Sequence, residues 1–217
     1  MQDLAAAINR ESYDRIAARW DAARSAFHGR EADYLDRLLH GLSGASPVLD
    51  LGCGTGRPMA EAVLARGYRV VGVDQSRELL NLAARRFPQA AWIEADIAAP
   101  DLPARLPHLT FGASLAWDSL FHLPRELHEP LVRRIAALLA PGGRLMITAG
   151  GSADQPAFTD TMFDAMFFYD SHAPEETVAM LERAGLRPLL VDVMNAPDGG
   201  RDKGRIAVIA EKDAGAS

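Results

Sequence analysis

The chain has 217 residues, with 23 basic and 29 acidic side chains and a net charge of −6; a general nucleic-acid surface needs clustered cations, so nucleic acid is not expected as a partner. Apolar residues make up 48% and charged residues 24%, which suits one soluble domain with a core that needs no staples. The one cysteine, Cys53, excludes an intramolecular disulfide; no apolar run nears the roughly 20 residues of a membrane-spanning helix, and the charged start is no secretory signal, so the expectation is a cytoplasmic protein with no membrane partner.

Residues 3–27 read as a helix, with Tyr13, Ile16, Ala17 and Trp20 on one helical stripe, and 31–42 as a second. Val48-Leu49-Asp50-Leu51 is a short buried strand. A helix over 57–66 follows, with Pro58 in its first turn, where a missing N–H costs nothing, and Gly67 at its end. Tyr68–Val73 is a β-branched strand, and Ser76 can cap the helix that carries Leu79, Leu80 and Ala83 and stops before Pro88. Ala91–Glu94 and Phe111–Ala116 are further strands, separated by a loop broken by Pro100, Pro103 and Pro107. Pro124 opens a helix with Leu127, Leu131, Ile135 and Leu138, ended by Pro141-Gly142-Gly143, and Arg144–Ala149 is a strand. Pro174 starts a helix that Gly185 closes. Strands at 186–193 and 205–210 then follow with only a linker between them, holding Pro197, Gly199, Gly200 and Gly204, so the last strand is antiparallel to its partner. Residues 213–217 read as a frayed tail. Strands alternating with helices imply an α/β fold with a mostly parallel sheet and helices on both faces.

The stretch Gly52-Cys53-Gly54-Thr55-Gly56 follows a buried strand and precedes a helix. Alternate glycines let the backbone turn sharply and approach a ligand, and the helix start adds N–H donors. In a parallel sheet a nucleotide-type cofactor binds beyond the carboxyl end of such a strand. The dinucleotide fingerprint fits poorly: its sixth position is Arg57, and Asp50 brings a negative charge toward any pyrophosphate. An acidic group suits a cationic ligand better. Asp74, at the end of the second strand, can accept hydrogen bonds from a ribose diol. Ribose plus a cationic tail, with no phosphate, describes S-adenosylmethionine.

These motifs resemble the class I S-adenosylmethionine-dependent methyltransferases over residues 10–212, in a bacterial small-molecule-type subgroup. The resemblance implies a Rossmann-like fold, a seven-stranded mostly parallel sheet with an antiparallel last strand and helices on both faces. It implies a single domain over 1–217: a helical cap at 1–44, a cofactor-binding core at 45–149, a lid at 150–173, and a C-terminal helix and β-hairpin at 174–212. Carried onto this sequence, the cofactor residues are Asp50, Gly52, Cys53, Gly54, Thr55, Gly56, Asp74, Gln75, Ser76, Asp96, Ile97 and Trp117, with Tyr13 and Trp20 closing over from the first helix.

Methyl transfer from a sulfonium is an in-line displacement of an already activated donor, so the protein mainly supplies alignment. Trp117, Phe121 and Tyr169 are candidates for an aromatic wall. Where the acceptor must lose a proton, His122 is the candidate base, with Asp118 and His172 behind it. The apolar segment after residue 150, with Met162, Phe163, Phe168 and Tyr169 beside Phe121, is expected to wall a small, partly apolar acceptor, either as a lid or as a helix pair packed on the core. No metal is expected, and the assembly is a monomer or homodimer. The competing readings are a non-catalytic S-adenosylmethionine-binding regulatory protein and an RNA or protein methyltransferase; a nicotinamide oxidoreductase stands behind both.

Overall fold

The computed structural model describes residues 2–107, 110–153, 155–197 and 204–215. In chain order the elements are α1 (Gln2–Ala23), α2 (Glu31–Leu39), β1 (Pro47–Leu51), α3 (Met59–Ala65), β2 (Arg69–Asp74), α4 (Arg77–Arg86), β3 (Ala91–Glu94), α5 (Leu102–Arg105), β4 (Phe111–Ala116), α6 (His128–Leu138), β5 (Leu139–Gly150), β6 (Phe158–Met162), β7 (Ala165–Tyr169), α7 (Pro174–Arg183), β8 (Leu186–Asn195) and β9 (Arg205–Lys212). One sheet of seven strands runs in the order β3-β2-β1-β4-β5-β9-β8. The pairs among β1 to β5 are all parallel. Strand β9 is antiparallel to both β5 and β8, so the last strand is slotted inside the sheet and β8 forms its edge. Of the linker glycines, Gly199 and Gly200 lie outside the described residues, as does the end of the expected tail, Ala216 and Ser217.

Every residue of β1 and β4 is buried, because helices cover both faces of a parallel sheet. Alternation along each strand divides the core in two. Leu49, Leu51, Val71 and Val73 meet Leu131 and Ile135 of α6 and Met180 and Leu181 of α7. Val48, Val70, Ala113 and Leu115 meet Leu35, Leu38 and Leu39 of α2 and Val63 of α3. Ser76 caps α4 as its spacing predicts, its hydroxyl accepting from the Leu79 amide.

Several boundaries differ from the sequence expectations. Helix α3 begins at Met59, with Pro58 ahead of it, because the chain is still turning through Gly56 (φ +78°). Helix α6 begins only at His128; the three residues before it form a tight 3₁₀ turn, and the Arg125 amide donates to the Asp170 carboxylate. The Pro141-Gly142-Gly143 segment lies within β5 as an irregularity, the register jumping between Phe111 and Ala113 of β4.

The segment after residue 150 is neither a plain loop nor a helix pair. It forms the antiparallel hairpin β6–β7, which packs against α1 in a separate small core of Ile16, Ala165 and Phe167. Its two-residue turn puts Phe163 (φ +52°) and Asp164 (φ +61°) in the left-handed region, the geometry of a type I′ hairpin turn that usually takes Asn and Gly. Helix α1 holds this strained tip. Arg19 donates to the Phe163 carbonyl (2.9 Å) and the Asp164 carboxylate (3.2 Å), and its guanidinium lies 4.8 Å from the Phe163 ring. Arg15 donates to the Asp164 carbonyl. Among the described residues, no helix is long and apolar enough to cross a membrane.

Candidate active site

At the carboxyl ends of β1 and β2 the glycine loop folds back on the sheet. The Gly52 and Cys53 amides both donate to the Val73 carbonyl (2.8 and 3.1 Å). A Cβ on Gly52 would stand 2.3 Å from that of Ser119, so only glycine fits there, at φ +74°. Asp74 ties the loop to α4: its carboxylate accepts from the Gly54 amide (2.9 Å) and the Ser76 amide (2.8 Å). A carboxylate has lone pairs beyond these two for a further donor. Asp50 lies beside it, and neither has a cationic partner among the described residues. Burial pushes Asp50 up to about 7, helped by the nearby Asp74 charge. Burial also pushes Asp74 up to about 6, against the pull of its amide donors. The Cys53 thiol is raised by burial and then by Asp74 and Asp50, so it is no nucleophile.

The cleft over this loop encloses about 860 Å³, open solvent at its mouth included. Tyr13, Trp20, Asp50, Gly52, Cys53, Gly54, Asp74, Gln75, Asp96, Ile97, Trp117, Asp118 and His122 all line it, so most of the expected residues converge. Thr55, Gly56 and Ser76 stand behind them. Thr55 is buried, Gly56 lies against Phe87 and Trp92, and the Ser76 hydroxyl donates to Asp14 as it caps α4. Helix α1 roofs the cleft with Asn9, Tyr13, Trp20 and Arg24. It is fastened to α4 by Asp14, which also accepts from the Glu78 amide (3.2 Å), and by the Asp21–Arg86 pair (2.8 Å).

Both ring nitrogens of His122 are engaged. Nδ1 lies 3.0 Å from the Phe168 carbonyl, which can only accept, so Nδ1 carries the proton. Nε2 then accepts from the Tyr13 hydroxyl at 2.9 Å. Burial lowers His122 to about 4 and raises Tyr13, so this pair is neutral through the physiological range. The candidate base therefore sits at the cleft with its lone pair occupied. Asp118 (φ +51°) is no freer: it pairs with Arg205 (2.9 Å) and Arg24 (3.7 Å), whose charges oppose the upward push of burial. His172 is turned to the Arg125 carbonyl, 3.1 Å away, and lines neither cavity. Arg24 in turn forms a buried fork with Glu31 (2.9 and 2.7 Å), and the Trp117 indole N–H donates to the same carboxylate (3.1 Å).

A second cavity of about 1240 Å³, again counted to its open mouth, lies under the β6–β7 hairpin. Phe121, Met162 and Tyr169 line it as expected; Phe158 and Arg205 join them. Phe163 and Phe168 line neither cavity. The first is at the hairpin tip under Arg19, and the second contributes its backbone to Asn9 and His122. Residues of the two linings touch: Asp118 of the first pairs with Arg205 of the second, and the His122 ring lies 5.1 Å from Phe121 and 4.9 Å from Tyr169. Sequence reasoning missed Asn9 and Arg24, although both continue the Tyr13 and Trp20 stripe at helical spacing. It missed Phe158 and Arg205, which carry no local signal.

Residues 48–143 match the family described as Methyltransferase domain. Over 119 residues the chain is 41% identical to trans-aconitate 2-methyltransferase of Paracidovorax citrulli (strain AAC00-1), covering 54% of this chain and 43% of that protein. The chain spans about half the length of the trans-aconitate methyltransferases it matches. Its fold is similar to the CcbJ methyltransferase of Streptomyces caelestis (TM-score 0.71, 20% identity, 94% of this chain and 98% of that one). It is equally similar to the [4+2]-cyclase SpnF (TM-score 0.73, 18% identity, 95% and 96%). One fold thus serves different chemistries, and function has to be argued from the site.

Proposed function

We propose that this chain, in which residues 48–143 form a methyltransferase domain of the class I S-adenosylmethionine-dependent kind, transfers a methyl group from S-adenosylmethionine to a small-molecule acceptor. The observation that carries this reading is the pair of buried carboxylates, Asp50 and Asp74, beside a glycine loop and with no cationic partner among the described residues. Their donor chemistry fits the cofactor: Asp74 keeps acceptor capacity for a ribose diol, Asp50 suits a cationic tail, and neither suits a phosphate. Asp96 and Ile97 supply the far end of the same cleft, where an adenine edge would lie.

When bound, S-adenosylmethionine supplies a methyl group already activated on a sulfonium. The chain's own residues align and enclose. Asp74 holds the glycine loop against α4 through two amides, which fixes the floor. Tyr13 and Trp20 from α1 roof this cleft, and the hairpin at 158–169 that α1 clamps walls the second cavity. This gives 1–44 the role of a cap and 150–173 that of a lid. His122 orients the Tyr13 hydroxyl rather than taking a proton, because its Nε2 lone pair is already used. Well-oriented reactants gain about 7–11 kcal/mol from alignment alone, so a strong base is not required. The small acceptor is supported by the relatives named for trans-aconitate.

Isothermal titration with S-adenosylmethionine, S-adenosylhomocysteine and NAD tests the reading. Micromolar binding of the first two without the third is expected. NAD binding, or no binding of either adenosyl compound, would overturn it.

A further inference from the structure

We propose that the second cavity takes an acceptor with an aromatic or apolar body and a single carboxylate, the carboxylate pairing with the guanidinium of Arg205; this rests on the methyltransferase reading above. The body follows from the walls. Phe121, Phe158, Met162 and Tyr169 supply an apolar surface, with the Phe158 and Tyr169 rings stacked at 5.2 Å. The charge follows from Arg205, the one guanidinium among the described residues of that lining. Its Nη1 goes to Asp118 at 2.9 Å, while its Nε is buried with no partner among the described residues. A buried donor left unpaired is costly, and a guanidinium binds a carboxylate best as a planar fork. The acidic groups facing the same space do not compete for it: Asp170 is taken by Arg125 (2.7 Å from Nε), and Asp160 has an interaction partner of its own.

The protonation state follows from what surrounds the junction of the two linings. Among the described residues there, His122, Asp118 and Asp170 are all engaged, so none of the three is a ready proton acceptor. An acceptor that arrives ionised needs none, and a carboxylate is ionised at neutral pH. One carboxylate oxygen forms the new C–O bond as the C–S bond breaks; the electron pair stays on sulfur, and no proton moves. The product is a methyl ester. Among the described lining residues, one guanidinium beside aromatic walls also favours a monoanion over a tricarboxylate such as trans-aconitate.

The test titrates cinnamate, cinnamyl alcohol and trans-aconitate into the protein loaded with S-adenosylhomocysteine, then looks for methyl cinnamate by mass with S-adenosylmethionine. Cinnamate should bind at least about tenfold more tightly than either competitor. Arg205→Gln should weaken cinnamate by about 30-fold or more, while S-adenosylhomocysteine affinity on the same variant, which reports that it is folded, changes by less than about threefold. Phe158→Trp, which fills the cavity from the hairpin side, should weaken cinnamate and spare the cofactor product. Equal or tighter binding of the alcohol or of trans-aconitate, or cinnamate binding indifferent to Arg205→Gln, overturns the inference and leaves the cofactor reading standing. Failure of the wild type to bind S-adenosylhomocysteine instead removes the cofactor reading, and the inference with it.

Discussion

The two cavities adjoin but are built differently. The cleft over the glycine loop takes its floor from short stretches at the ends of neighbouring parallel strands, where Gly52–Gly56 and Trp117 follow directly from β1 and β4 and Asp74 ends β2. It is held by backbone amides aimed at carboxylates. The second cavity collects Phe121, Phe158, Tyr169 and Arg205 from distant parts of the chain and is held by side chains: ring stacks and ion pairs. The first arrangement fixes one ligand chemistry tightly. The second leaves wall composition open.

The largest effect expected is on the support common to both. Glu31→Ala leaves the buried Arg24 guanidinium with only the longer contact to Asp118 (3.7 Å) and the Ala26 carbonyl, and frees the Trp117 indole. Breaking a buried pair from one side costs about 3–5 kcal/mol. Thermal unfolding should fall by roughly 10 °C, at about 2–4 °C per kcal/mol for a chain of this size. A drop of only a degree or two would mean that water reaches the fork.

Asp74→Ala separates the cavities. It removes the acceptor of two amides and the proposed ribose partner, so S-adenosylhomocysteine affinity should fall by about 100-fold or more, at roughly 1.5–3 kcal/mol for each hydrogen bond to a charged group. The second cavity's walls carry none of these contacts. Loss of aromatic stacking there, read by near-ultraviolet circular dichroism, would show that the two are not separable.

A pH series sharpens the same contrast. A cationic ligand binds the ionised forms of Asp50 and Asp74, so its affinity should rise between about pH 5 and pH 8, by up to about tenfold per unit for each proton released. Ligand-free stability runs the other way. Between the ordinary carboxylate range and about 7 the folded protein keeps a proton on Asp50 that the unfolded chain gives up, so this contribution is present at low pH and is lost as pH rises through that window. His122 opposes it: with its value lowered to about 4, its contribution is lost as pH falls from about 6.5. Cofactor affinity flat across this range would contradict the burial of the two carboxylates.

The smallest expected effect is at the roof. Asp14→Ala removes acceptors for the Ser76 hydroxyl and the Glu78 amide, worth about 1 kcal/mol, and should speed cofactor release a few-fold in stopped flow. No change in release would mean that α1 does not gate the cleft.

What the sequence made legible follows the same division. The glycine loop, Asp74 and the Ser76 cap were readable because each acts on residues close by in the chain. The β8–β9 hairpin was readable from its linker, but not the insertion of β9 beside β5, since a strand's second partner has no local signature. The hairpin at 158–169 was unreadable for a sharper reason: Phe163 is a residue that a left-handed turn disfavours, no glycine follows it, and the turn's stabilisers, Arg15 and Arg19, lie on α1. Arg205 read only as the first residue of a strand. The occupied lone pair of His122 could not be foreseen, because its two partners come from α1 and β7.

The placement of β9 also governs the order of assembly. Until residues 205–212 arrive, β5 presents a bare edge along the seven positions from Arg144 to Gly150 that β9 later pairs, and β8 has no strand beside it. A growing chain that has emerged as far as β8 therefore carries a bare β5 edge and an unpaired β8, the condition under which sheets recruit foreign strands. Strand β9 acts as a keystone: its arrival pairs β5 and β8 together.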